Sequence, residues 1–133
     1  APCTGSRGGR VMDKSTTLYT ITAAGSLYTA HMLLAPRFYL SQAKIDENFD
    51  TIGLCRGLGG GIIGLTSMAY MAAKSSSEEL KLAALCSGAT AFVAWTVNNA
   101  YITYTKASLQ AKSDLACSAF CLGICTCALA AGK

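Results

Sequence analysis

The chain has 133 residues, 52% of them hydrophobic and 14% charged, with 11 Lys or Arg against 7 Asp or Glu. A soluble domain ordinarily spends about 25% of its residues on charge, so this balance argues against a water-soluble fold. The net charge is +4, the basic residues are shared among the tail, the connections and the C-terminal end, and no Arg/Lys cluster is interleaved with stacking aromatics, which sets nucleic acid aside as a partner.

The charges are segregated along the chain. Ser15 to Pro36, Gly57 to Ala73, Leu82 to Thr105 and Leu115 to Gly132 contain none, and these stretches are 17 to 24 residues long. A bilayer core about 30 Å thick is crossed by roughly 17 to 25 apolar residues at about 1.5 Å each. The sequence therefore predicts an all-α integral membrane protein with four transmembrane helices, approximately 17–35, 53–73, 77–104 and 114–131, in one membrane domain, 15–133. Its short connections leave no extramembrane segment able to bury a core, and so no soluble catalytic module.

Residues 1–14, rich in Gly, Ser and Arg, read as a flexible surface tail with Arg7, Arg10 and Lys14 at lipid headgroups. The opening Ala1-Pro2-Cys3 without Met suggests a removed targeting segment, and Cys3 is positioned for lipidation. The first span is rich in hydroxyls and holds His31, the one histidine; such content in lipid argues for packing against protein or ligand. Pro36 is expected to end it. Ile45, Phe49 and Ile52, spaced by four and three, predict a short interfacial helix between the first two spans, started by Ser41.

In the second span, Gly53, Gly57 and Gly61 recur every four residues, and Gly60 with Gly64 repeats the spacing one face over. Such ridges let helix backbones approach closely in lipid, and they mark this helix for tight packing. Ser75 and Ser76, each three residues before a Glu, predict a capped start near Ser77 for the third span, which holds Trp95, Asn98 and Asn99, with Tyr101 and Tyr104 suited to the interface. Ser113 or Asp114 is expected to cap the fourth, Cys-rich span, which ends at Gly132-Lys133. Cys117, Cys121 and Cys125 share one face, but their spacing fits neither an iron-sulfur cluster nor a zinc site, and they read as small packing residues.

Counting back from the charges that end the first and third spans puts His31 and the Asn98-Asn99 pair at similar depth. All three are candidate axial ligands to chlorophyll magnesium; alternatively His31 hydrogen-bonds an Asn of the neighbouring helix, binds heme or relays protons. One histidine excludes bis-histidine heme, and no heme or iron-sulfur cluster is expected. None of the seven acids is expected inside a span, which disfavours pumping, and no nucleophile or metalloenzyme template is present, so no enzymatic activity is expected.

These features describe a non-catalytic accessory subunit of a large energy-transducing membrane complex, a photosystem or antenna assembly favoured. Its expected partners are other integral membrane subunits and lipids, with chlorophyll and carotenoid as candidate pigments. The thylakoid is the favoured membrane and the mitochondrial inner membrane second. The alternative is a small oligomeric four-helix channel or transporter.

Overall fold

The computed structural model describes residues 13–106 and 108–131. The N-terminal tail except Asp13 and Lys14, Cys3 with its proposed lipidation, and the Gly132-Lys133 end lie outside the described residues. Within them the chain forms five helices: α1 (Lys14–Leu34), α2 (Pro36–Ala43), α3 (Phe49–Lys74), α4 (Glu78–Lys106) and α5 (Leu109–Ala131). Of these α3, α4 and α5 are long and apolar enough to cross a membrane. α1 has 21 residues, about 31 Å of helix, but its hydroxyl-rich sequence leaves it outside that set.

Local chemistry sets the boundaries, and several differ from those the charges suggest. Asp13 caps α1: its carboxylate accepts the Thr16 N–H at 2.9 Å and the Thr16 hydroxyl at 2.7 Å, which holds its pKa below the usual 3.8. Pro36 starts a helix as well as following one, because at the first position of α2 its missing N–H has no partner to lose. The short helix between α1 and α3 therefore lies at Pro36–Ala43, not around Ile45, Phe49 and Ile52, and the left-handed backbone at Lys44 (φ 57) closes it. Phe49 and Ile52 belong to α3, whose start is fixed by a reciprocal box in which Asn48 Oδ1 accepts the Thr51 N–H (2.8 Å) and Thr51 Oγ1 accepts the Asn48 N–H (3.0 Å). The α4 cap is Ser77, whose Oγ accepts the Leu80 N–H at 3.2 Å. At α5 it is Ser108, whose Oγ accepts the Ala111 N–H at 3.0 Å. The expected cap at Ser113 or Asp114 is thus corrected: the helix begins more than a turn earlier.

α1 packs chiefly on α3, and α4 chiefly on α5; fewer contacts join the two pairs. Two apolar clusters hold the bundle. One gathers Leu18, Ile21, Ala69, Ala72, Leu85 and Cys125 from all four long helices; the other joins Met32, Leu40, Cys55 and Ile62, with Tyr28, Tyr39 and Trp95 against it. Lys14 and Lys81 both reach Glu78, at 3.1 and 2.9 Å, placing the start of α1 beside the start of α4.

The buried face of α3 is Cys55, Gly59, Ile62, Thr66 and Ala69, at alternating spacings of four and three. This face carries only one glycine. Gly59 lies against Met32 and Leu33, where an added Cβ would sit 3.1 to 3.2 Å from their side chains, and Gly25 of α1 lies against Thr66, where it would sit 2.0 Å from a methyl carbon. Gly53, Gly57, Gly60, Gly61 and Gly64 are all exposed, and a Cβ on any of them would meet nothing within 4 Å. Close packing inside this chain thus depends on Gly25 and Gly59, while the five-glycine ridge faces outward.

Thr66 cannot easily yield to a bulkier residue 25, since its hydroxyl donates to the Ile62 and Ile63 carbonyls at 2.9 and 3.0 Å. Gly25→Ala is expected to lower stability by about 1 to 3 kcal/mol through overpacking. Adding Thr66→Ser, which removes the obstructing methyl, should restore most of the loss, and Gly60→Ala should change little. Unfolding in mixed micelles, followed by circular dichroism, checks all three.

Candidate functional site

One acid lies inside the bundle. Asp114 sits five residues into α5, about 7.5 Å along the helix, and is 6% exposed. The buried stripe of α5 is Ala111, Asp114, Ser118, Cys121, Cys125 and Ala128, so the same alternation of three and four that turns small residues inward carries the carboxylate with them. This acid lies within a helix that is long and apolar enough to cross a membrane. A charge placed there must be satisfied by hydrogen bonds or a counter-ion.

Three neutral donors satisfy it. The Tyr28 hydroxyl donates to Oδ1 at 2.5 Å, the Tyr39 hydroxyl to Oδ2 at 2.8 Å and the Gln110 amide to Oδ1 at 2.5 Å. Tyr28 comes from α1, Tyr39 from α2 and Gln110 from the preceding turn of α5, so one carboxylate ties three elements together. Among the described residues no cation pairs with it. Burial first, and then the adjacent carboxylate, raise the Tyr39 pKa above the usual 10.0, because ionising that hydroxyl would place a second negative charge beside the first.

Asp114 also lines a cleft of about 90 Å³ between the two helix pairs. Its walls are mainly apolar, with Leu18, Ile21 and Ile62 among them, and its lining also includes Tyr28, Trp95, Asn99 and Ser118. Tyr28 and Trp95 meet edge to face, with centroids 6.1 Å apart, and Asn99 Nδ2 donates to Ser118 Oγ at 3.4 Å.

The residues expected to form a polar layer are distributed differently. Asn99 is buried in the cleft, whereas Asn98, one residue along α4, is exposed on the outside. His31 is half-buried between Phe38 and Tyr39, at centroid distances of 5.4 and 5.6 Å; its Nε2 is enclosed without a hydrogen-bond partner, so the expected bond from His31 to Asn98 or Asn99 is not formed. Cys121 and Cys125 are buried, Cys117 is half-buried, and Cys86 and Cys127 are exposed. Among the described residues no group of three His, Cys, Asp or Glu side chains could hold a metal ion. Sequence reasoning missed Asp114, Tyr28, Tyr39 and Gln110. The available signal was the phase of α5, in which Asp114 lies seven residues before Cys121, two turns away on one face.

No protein-family model, curated protein or solved structure matches this chain.

Replacing Asp114 by Leu leaves two part-buried hydroxyls without their acceptor, an expected cost of about 1 to 3 kcal/mol for each. Adding Tyr28→Phe and Tyr39→Phe should recover much of that stability, since removing both sides of a buried polar contact costs less than removing one. Denaturation of the single and triple variants in the same micelles compares them.

The raised Tyr39 pKa gives stability that is complete below pH 10 and falls away as the pH climbs from there toward the folded-state value. Tyr39 should still be protonated near pH 10, where a free tyrosine is half ionised. Tyr39→Phe is therefore expected to leave the tyrosinate absorbance of the folded protein at that pH unchanged.

Proposed function

We propose that the chain is a non-catalytic accessory subunit of a large energy-transducing membrane assembly, crossing the bilayer four times with α2 at the surface. α1 has the length of a span, and its hydroxyl-bearing side chains bond within the helix, as Thr20 does to the Thr16 carbonyl (2.9 Å) and Thr22 to the Leu18 carbonyl (2.8 Å). That bonding reduces the cost of placing the hydroxyls in lipid. α2 exposes Arg37 and Phe38 together, the amphipathic surface of a helix lying at the interface.

The observation that carries the subunit reading is the outward glycine ridge of α3. Among the described residues nothing lies within 4 Å of a Cβ built on any of these five glycines at close-packing spacing, and they stand beside exposed Leu54 and Leu58. Close helix approach is what such a ridge supplies in a membrane, where apolar burial from water no longer drives association. α4 supports the same reading, because only 6% of its most apolar window is buried. A photosystem or antenna assembly in the thylakoid is the preferred setting, with the mitochondrial inner membrane second. Asn98, exposed on α4, is a side chain of a type that holds chlorophyll magnesium, whereas His31 could do so only if Phe38 and Tyr39 uncovered its enclosed Nε2, and the exposed apolar faces suit a carotenoid.

The buried Asp114 and its cleft favour one second reading, a small oligomeric channel or transporter, since an ionisable group inside a span is where substrate or ion sites lie.

Gentle solubilisation of native membranes followed by native electrophoresis separates the two readings. The wild-type chain is expected to migrate within a large assembly, and Gly57→Leu with Gly61→Leu should release it with its helix content intact. Migration as a free colourless oligomer that changes solute flux in liposomes would overturn the subunit reading.

A further inference from the structure

An ionised carboxylate offers about four lone-pair positions. At Asp114 three are used: Oδ1 accepts from Tyr28 and Gln110, and Oδ2 accepts only from Tyr39. Oδ2 therefore retains one acceptor position. The cleft that Asp114 lines contains no Lys, Arg or His among the described residues, so it is a weakly polar chamber with a single acidic residue in its lining.

We propose that this cleft binds a small organic cation, a protonated amine on a short alkyl body, with its ammonium at Asp114. The ammonium donates to Oδ2, and the Asn99 amide in the same lining supplies a second polar partner. The ring of Tyr28, whose hydroxyl bonds the carboxylate, and that of Trp95, packed edge to face on it, contribute the aromatic surface to which cations are attracted. The alkyl body lies along Ile21, Ile62 and Cys121. These walls argue against a bare metal ion, which would need a shell of oxygen ligands. Size limits the body: an engineered cavity of about 150 Å³ takes benzene, so the 90 Å³ here suits about three to four carbons. The proposal rests on the cleft and not on the subunit reading, because a chain inside a large assembly and a free chain can each bind or fail to bind an amine.

Trp95 is the only tryptophan of the chain, and it lines the cleft, so its fluorescence reports on occupancy. The whole protein, purified in detergent at constant pH and ionic strength, is titrated with n-butylammonium, 1-butanol and butyrate. The expected result is a saturable change with butylammonium, a midpoint at least tenfold higher for 1-butanol, and no response to butyrate. Asp114→Asn, checked for helix content, should weaken butylammonium at least tenfold. Equal midpoints for butylammonium and 1-butanol would show an apolar cavity without charge recognition, and an unchanged midpoint in folded Asp114→Asn would place the cation elsewhere; either overturns the proposal, as does the absence of a saturable response. The three-probe comparison on the wild-type protein decides the matter even if the variant does not fold.

Discussion

A carboxylate removed from water has to be solvated by the protein, and this bundle solvates Asp114 with neutral hydrogen bonds and, among the described residues, no counter-charge. Desolvating a carboxylate is expensive, so its position constrains every element that supplies a donor. α1 must present Tyr28 inward, α2 must fold back so that Tyr39 reaches the same group, and α5 must start early enough to place Gln110 one turn before it. The turn at Ala35 and Pro36 follows from this requirement. A straight continuation of α1 would carry Tyr39 away from the bundle, whereas the break returns it to α5.

The same interaction explains how two helix pairs, each packed mainly on itself, share one interior. α1 fits α3 through Gly25 and Gly59, and α4 fits α5 along Ser118, Cys121 and Cys125. Between the pairs the apolar clusters meet at the cleft, and Asp114 with Tyr28 forms part of its lining. A cavity beside a satisfied charge differs chemically from a gap in a hydrophobic core: its walls exclude water while its lining keeps a directional acceptor.

Helix number and approximate helix position were legible because charges avoid lipid and their gaps can be measured. The apolarity needed for spanning was clear for three helices and less so for the first, whose many hydroxyls obscure it. Boundaries were less legible, since a helix does not stop where its charges begin. α5 runs through Lys112 and Asp114 to a cap at Ser108, and α3 through Asp50 and Arg56 to the box at Asn48 and Thr51. The glycine pattern identified the correct helix but not the face its partner uses, because that depends on where Met32, Leu33 and Thr66 lie. The site was least legible: Asp114 and Tyr28 are 86 positions apart, and no local periodicity pairs an acid with a distant hydroxyl. Asn99 was singled out for its polarity, yet only its angular position on α4 separates it from the exposed Asn98.

The polar contacts also impose an order on folding. Tyr28 and Tyr39 emerge from synthesis well before α5, the last of the described helices, so their hydroxyls must use water, headgroups or transient partners until Asp114 arrives. The first helix pair is consequently left with unsettled polar surface until the final segment enters.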